Sequence, residues 1–107
     1  MFKLSQDADV NGTHLQGYVT LPPAALVNKF GRGESFDGYK TSGEYSFENA
    51  DGEVFTVYDW KTTELYCPDG IPVEQLWSSW DQFQFNVGGK SNASDFISWL
   101  ESEVNSD

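Results

Sequence analysis

Two segments of alternating polar and apolar residues, joined by an Asn-Ala-Asp-Gly turn, constrain this chain more than any other feature. In residues 40–47, Tyr45 and Phe47 fall on one face and polar side chains on the other. Residues 53–60 are rich in Val, Phe, Thr and Tyr and are apolar on both faces. The pattern predicts a β-hairpin with its turn at residues 49–52, and its second strand central in a sheet and covered on both sides.

Weaker signals place further elements on either side of this hairpin. Residues 14–20 read as a short strand, and the Pro-Pro pair at 22–23 opens a helix that closes at Gly31. Residues 83–87 alternate again, and residues 96–100 carry an apolar stripe typical of a helix. The predicted order is β-α-β-β-β-α. We therefore expect an α+β fold with a mostly antiparallel sheet and helices packed on one face.

The rest of the chain is predicted to be loops and ends of one small domain. A length of 107 residues fits one core, to which seventeen aromatic rings contribute, so we expect residues 1–107 to form a single domain. Residues 31–39 form a glycine-rich loop, and residues 61–82 form an irregular region with one helical turn at 73–77. Residues 1–12 and 101–107 are expected to be flexible.

An excess of acidic residues restricts the partners of the protein. Six basic and seventeen acidic residues give a formal net charge of −11. Such a chain is repelled by nucleic acid and by anionic membranes but attracted to basic surfaces, including the grooves in which proteins hold nucleic acid. The plainer explanation of the charge is solubility. No apolar stretch is long enough for a signal peptide or a membrane span, so we expect a cytoplasmic protein.

The few nucleophilic and metal-binding residues argue against catalysis. Cys67 and His14 are single residues of their kind, which excludes an intramolecular disulfide and a typical zinc site. There is no Gly-x-Ser-x-Gly motif, and a catalytic triad would have to recruit His14 from an early strand. We therefore expect a non-catalytic protein that binds no metal and no cofactor.

Acidic and aromatic residues together indicate a protein-binding surface. Two tryptophans flank Ser78-Ser79 in the irregular region, where we expect them to be exposed beside acids, as in interface hot spots. Carboxylates spaced like phosphates would steer association with a basic surface. The predicted partner-binding residues are Glu44, Glu48, Asp51, Glu53, Trp77, Trp80 and Asp81.

Two short motifs at strand ends support an alternative, a pocket for a nucleotide-like ligand. One combines rings with a lysine, and the other is a Gly-Gly-Lys-Ser segment before the last helix, where backbone N–H groups can hold a phosphate. The alternative ligand-binding residues are Tyr58, Asp59, Trp60, Lys61, Gly88, Gly89, Lys90 and Ser91. The plainer interpretation is core packing of Tyr58 and Trp60, Asp59 paired with a nearby lysine or a loop amide, and a strand exit with a helix cap.

The segments at residues 51–61 and 85–90 carry a resemblance to known proteins. Across residues 15–100 the chain resembles small uncharacterised acidic proteins of phages and mobile elements. In size and charge it also resembles phage anti-defence proteins, which include anti-CRISPR and anti-restriction inhibitors. That resemblance implies an inhibitor that occupies a basic, nucleic-acid-binding surface of a host protein as a DNA mimic. The other hypotheses are the small-ligand binder and an assembly component of a virion or complex, in which exposed aromatics would support a homodimer.

Overall fold

The computed structural model describes residues 2–33 and 40–105, which form a five-stranded antiparallel sheet and three helices. In chain order the elements are β1 (Lys3–Leu4), β2 (His14–Leu21), α1 (Pro23–Phe30), β3 (Glu44–Glu48), β4 (Val54–Tyr58), α2 (Val73–Trp77), β5 (Phe83–Gly89) and α3 (Ser94–Asn105). The strand order across the sheet is β1-β3-β4-β5-β2. The predicted α+β class and antiparallel sheet are confirmed. The short strand β1 is additional to the predicted order, and α2 coincides with the helical turn predicted at residues 73–77.

The β3–β4 hairpin follows from the side chain of Asn49. Its Oδ1 accepts hydrogen bonds from the backbone N–H groups of Asp51 (3.0 Å) and Glu53 (2.9 Å), which closes the turn locally. Gly52 supplies a φ of 79°, a left-handed conformation that costs a glycine little. β4 pairs with β3 on one side and β5 on the other, so the prediction of a central strand is confirmed.

The core lies between one face of the sheet and the helices. Alternate residues of β2 to β5 point to this face, and all three helices contribute side chains that close it. Rings dominate the packing: Phe55 stacks on Phe96 at 5.1 Å between centroids, and Phe47 lies 5.2 Å from Phe96. The fully buried members include Val19, Leu21, Leu26, Tyr45, Phe47, Val57, Phe85, Val87, Phe96 and Leu100.

The predicted boundaries of α1 are confirmed. α1 begins at Pro23 directly after Pro22, where a missing N–H removes no helical hydrogen bond. It closes at Gly31, whose φ is 83° and whose N–H donates to the carbonyl of Val27 at 2.8 Å.

A single side chain completes one edge of the sheet. β1 covers only the last two residues of β3, Phe47 and Glu48. Beyond it, the side-chain Oε1 of Gln6 accepts from the backbone N–H of Ser46 (2.9 Å), and its Nε2 donates to the carbonyl of Glu44 (3.4 Å). The amide of Gln6 thus satisfies two edge groups that a longer β1 would have bonded.

Residues 5–13, which we call the strap, cross the face of the sheet opposite the helices. β1 and β2 are consecutive in the chain but lie at opposite edges, so the strap must traverse the sheet. Val10 and Thr13 of the strap lie around a cavity shared with Thr56 and Tyr58 of β4, and Thr56 is buried there. We call this side the helix-free face. The strap's mobility, and that of the C-terminal end, remains a prediction.

Two further expectations from the sequence concern a glycine-rich loop and membrane-spanning segments. Residues 34–39 of the predicted glycine-rich loop lie outside the described residues. Within the described part, the longest helix, α3, has 12 residues, and no helix is long and apolar enough to cross a membrane.

Candidate functional site

A row of polar side chains runs across the helix-free face. The strand register places Glu44 opposite Tyr58, Tyr58 opposite Asn86, and Asn86 opposite Tyr18. Burial raises the pKa of Tyr58, and the charge of Glu44 acts in the same direction, against the effect of a hydrogen bond with Asn86. Tyr58 therefore stays a neutral phenol at physiological pH, and Glu44 is the charged member of the row.

The predicted partner-binding acids fall into separate groups. Glu48, Asp51 and Glu53 lie together at the β3–β4 turn. Asp81 precedes β5, which begins at the opposite end of the sheet because β5 is antiparallel to β4. Glu44 shares that far end but lies on β3, across β4 and β5 from the strand that Asp81 precedes. The structure therefore brings three of the five acids together and leaves Asp81 apart.

The strap adds two carboxylates that the sequence prediction did not include. Asp7 and Asp9 are exposed on the strap, next to Gln6, which is bonded to β3. Their contribution depends on the path of the strap across the sheet, for which the sequence carries no local signal. We define the acidic surface as the exposed or half-buried carboxylates of the strap, β3 and the β3–β4 turn: Asp7, Asp9, Glu44, Glu48, Asp51 and Glu53.

The ion pairs of the described residues lie elsewhere. Lys29 on α1 pairs with Glu103 on α3 at 3.5 Å, and Arg32, just after α1, pairs with Glu74 on α2 at 2.8 Å. Within residues 2–33 and 40–105, no salt bridge involves Asp7, Asp9, Glu48, Asp51 or Glu53. Lys3 is the cross-strand partner of Glu48 but forms no salt bridge with it, so these five carboxylates keep their charge outside the ion pairs of the described residues.

Neutral donors hold three of these carboxylates in place. The backbone N–H of Asn11 donates to Asp9 Oδ1 at 2.9 Å. The hydroxyl of Ser5 donates to Glu48 Oε1 at 2.6 Å. Asn49 Nδ2 and the hydroxyl of Ser91 donate to the two oxygens of Glu53 at 2.8 and 2.9 Å. These two hydrogen bonds lower the pKa of Glu53, because they stabilise its ionised form. The donors fix the positions of the carboxylates without removing their charge.

The structure corrects the expectation that Trp77 is exposed. Trp77 lies on α2 with only 3% of its surface exposed, and its ring packs against Tyr45 and Phe85. Its Nε1–H donates to Ser42 Oγ at 2.8 Å. Trp80, which follows α2, is 65% exposed as predicted. Trp77 therefore belongs to the core, and Trp80 is the tryptophan of this pair that a partner can reach.

Asp59 is also buried, and it holds the loop before β3. It is 0% exposed. Its Oδ1 accepts from the backbone N–H groups of Ser42 (2.8 Å) and Gly43 (3.0 Å), and its Oδ2 accepts from Ser42 Oγ (2.7 Å). The interpretation of Asp59 as a carboxylate bound to a loop amide is confirmed. It has no face toward a ligand in solvent.

The two motifs of the alternative ligand site do not form one pocket. β4 and β5 are antiparallel, with Tyr58 opposite Asn86 and Phe55 opposite Gly89. The carboxyl end of β4 and the carboxyl end of β5 therefore lie at opposite ends of the sheet. Ser91 contacts Glu53 at the hairpin turn. The prediction of a single pocket is wrong because it assumed strand ends that the antiparallel arrangement separates.

The glycines of the second motif have packing roles. A Cβ on Gly88 would lie 2.6 Å from Thr56 Oγ1, and one on Gly89 would lie 2.9 Å from the ring of Phe55. Lys90, next in the chain, is exposed and its side chain passes beside Gly12 of the strap. Small residues are thus required where β5 approaches β4, whether or not an anion binds nearby.

Trp60, just after the end of β4, has two lysine ammonium groups beside its ring. The ring is 44% exposed, and the ammonium groups of Lys40 and Lys61 lie 5.7 and 5.4 Å from its centroid. Lys61 has a φ of 55° and donates its N–H to the carbonyl of Lys40 at 2.6 Å. The adjoining cavity, lined by Tyr58 and Trp60, measures about 190 Å³. That is below the roughly 300–1,000 Å³ typical of ligand pockets, so it suits only a small group.

Comparison with known proteins adds no further constraint. No family of known proteins matches the chain, and no characterised protein is similar to it in sequence.

Among the described residues, no three His, Cys, Asp or Glu side chains are grouped so that they could hold a metal ion.

Proposed function

We propose that this protein is a non-catalytic binding protein whose acidic surface occupies a basic, nucleic-acid-binding surface of another protein. In this proposal it acts in the host cytoplasm as a phage-type inhibitor of a defence protein. The observation that carries the proposal is a set of five carboxylates at the strap and the hairpin turn that form no ion pair with any described residue. Glu48 and the strap lie on the helix-free face, and Asp51 and Glu53 lie at the exposed hairpin turn, so binding there requires no rearrangement of the core.

The spacing of the acids is compatible with mimicry of a nucleic-acid backbone. Glu44 and Glu48 lie on the same face of β3, and four residues of strand span about 13 Å. This equals the axial rise of about four nucleotides along one strand of B-DNA. Carboxylates at such intervals compete with phosphates for the same lysines and arginines, and the net charge of −11 accelerates the encounter.

The test compares two double variants with the same change of charge. Asp7→Lys/Asp51→Lys reverses exposed carboxylates of the acidic surface, and Asp69→Lys/Glu101→Lys reverses exposed carboxylates outside it. Each tagged protein is used to capture partners from host lysate at low and high salt, with elution by double-stranded DNA. We expect a nucleic-acid-binding protein that is eluted by DNA and by salt. The acidic-surface variant should lose it, and the control variant should retain it.

Two results would contradict the proposal. One is a partner that survives both DNA competition and reversal of the acidic surface. The other is equal loss of binding in both double variants, because that outcome would show dependence on net charge and not on this surface. Circular dichroism of each variant establishes that its fold is intact.

A second candidate function is binding of a small anionic group beside Trp60. The observation in its favour is the pair of ammonium groups within 6 Å of one exposed indole, in a chain with few cations. A thermal-shift screen with inorganic phosphate and nucleotides tests it. We expect a shift that Trp60→Ala abolishes and Lys90→Ala leaves unchanged, because Lys90 lies at the other end of the sheet. A shift lost only in Lys90→Ala would place the site elsewhere.

A further inference from the structure

The two edges of the sheet differ in how fully their backbone groups are hydrogen-bonded. The β3 edge is covered by β1 and by the side-chain amide of Gln6, so its outward backbone groups are bonded. At the other edge, β2 pairs only with β5. Apart from that ladder, the backbone groups of residues 14–21 make no hydrogen bond with any part of the chain that the structure describes. As far as residues 2–33 and 40–105 show, the second edge of the sheet is therefore open.

β2 also lacks the features that normally block pairing at an edge. Its sequence, His-Leu-Gln-Gly-Tyr-Val-Thr-Leu, contains no proline and no Asp, Glu, Lys or Arg, although 21% of the chain is charged. The register irregularity between Leu15 and Gly17 disrupts its first half and leaves residues 17–21 regular. Leu15 and Tyr18 protrude on the helix-free face and are 49% and 50% exposed. An uncharged, regular edge with apolar side chains beside it favours strand addition.

We propose that the open edge of β2 binds β2 of a second copy, forming a two-fold dimer with a continuous ten-stranded antiparallel sheet. When a strand pairs with a copy of itself, any charged side chain lies near the same charge on the copy and is repelled. β2 carries no Asp, Glu, Lys or Arg, so this repulsion does not arise. The same lack of charge gives a basic foreign strand no carboxylate on β2 to contact. A two-fold axis perpendicular to the sheet keeps the helix-free faces of both copies on one side, so Tyr18 packs near its symmetry mate.

The net charge does not prevent this arrangement. β3, which carries Glu44 and Glu48, is three strand spacings from β2, or about 14 Å. In the dimer the two β3 strands are seven spacings apart, or about 33 Å, whereas charges at physiological ionic strength are screened over about 8 Å. The glutamates of β3 and the carboxylates of the β3–β4 hairpin therefore stay clear of the dimer contact. This inference is therefore independent of the proposed function.

The covered β3 edge limits the assembly to two copies. Each copy offers one long open edge, and pairing uses both. The outward side of β1 has only two residues, which is too short to hold a third copy. If both edges of each sheet were open, strand addition would instead continue from copy to copy and form a fibre.

The experiment measures self-association of the full chain by sedimentation equilibrium over a wide concentration range. We expect a monomer–dimer equilibrium that Tyr18→Lys weakens at least about tenfold, because lysine at an edge places like charges opposite one another. Leu65→Lys is the matched control: it also replaces an exposed apolar residue by lysine, in the loop before α2, and should dimerise like the wild type. Thr20→Lys, also exposed on β2, replaces Tyr18→Lys if that variant does not fold.

Amide hydrogen exchange locates the contact. We expect the amides of residues 18–20 that point away from β5 to become protected as protein concentration rises. A wild-type protein that stays monomeric overturns the proposal, as does a dimer equally sensitive to Leu65→Lys. A dimer whose β2 amides exchange at a rate independent of concentration overturns it as well.

Discussion

Removal of the buried carboxylate of Asp59 should destabilise the fold severely. The side chain accepts three hydrogen bonds, two from backbone N–H groups and one from Ser42. Ser42 Oγ in turn accepts from Trp77 Nε1, so one chain of bonds joins the end of β4, the loop before β3 and α2. In Asp59→Ala both backbone donors lose their acceptor in a site closed to solvent.

The expected cost follows from those donors. A buried donor left without a partner costs about 1–3 kcal/mol, and two donors together with the lost side-chain volume give about 3–5 kcal/mol. Asp59→Asn should cost about 1–2 kcal/mol, because its Oδ1 still accepts from both N–H groups. Its Nδ2 must then face the Ser42 hydroxyl, which loses its acceptor. A domain of this size has about 5–15 kcal/mol of stability in total, so the alanine variant approaches the limit of folding.

Urea unfolding followed by tryptophan fluorescence measures these differences. The control is Asp69→Ala, an exposed aspartate in the loop before α2, which should change the free energy of unfolding by less than about 0.5 kcal/mol. A loss below about 1 kcal/mol in Asp59→Ala would refute the reasoning. It would show that the loop amides find water or another acceptor at little cost.

Three further results are expected from individual contacts. Gly43→Ala should cost about 1–3 kcal/mol in urea unfolding, because its Cβ would lie 2.6 Å from Cζ2 of the buried Trp77; a neutral effect would show that the ring can move. Burial raises the pKa of Tyr45 from 10.0 to about 12, so the folded state resists its ionisation. Stability should therefore be unaffected by this group below pH 10 and fall as pH rises from 10 toward 12, more steeply in the wild type than in Tyr45→Phe; equal slopes in alkaline unfolding curves would contradict this. Gln6→Ala should leave the monomer folded but expose the β3 edge, so light scattering should detect assemblies larger than a dimer, and their absence would mean that the strap shields the edge without this amide.

Elements specified by nearby residues were predictable from the sequence. The hairpin depends on the Asn49 turn and on alternation in its own strands, and α1 depends on Pro23 and Gly31 at its ends. β1 was missed because a strand of two residues has no periodicity. The edge role of Gln6 was missed because its partners on β3 are about 40 residues away.

The candidate sites were predictable only where they lay within one segment. The acids of the β3–β4 turn are neighbours in the sequence and stay together in the fold. Trp77 was misplaced because a five-residue helix shows too few turns to reveal its buried face, and its partner Ser42 lies 35 residues earlier. The single ligand pocket failed for a different reason: the direction of β5 relative to β4 decides which strand ends meet, and no local pattern encodes that direction.

The position of β2 in the sheet has a consequence for how the chain folds. β2 is synthesised early, but its strand partner is β5, and contacts such as Gln16 with Gly89 join residues 73 positions apart. Closing so long a loop is slow, so β2 stays unpaired while the β3–β4 hairpin forms. This holds during synthesis on the ribosome and during refolding after dilution from denaturant. During that interval the β5 of a neighbouring molecule is an equally good partner. Concentrated refolding should therefore yield domain-swapped dimers, with β2 exchanged between copies and the same contacts formed in trans.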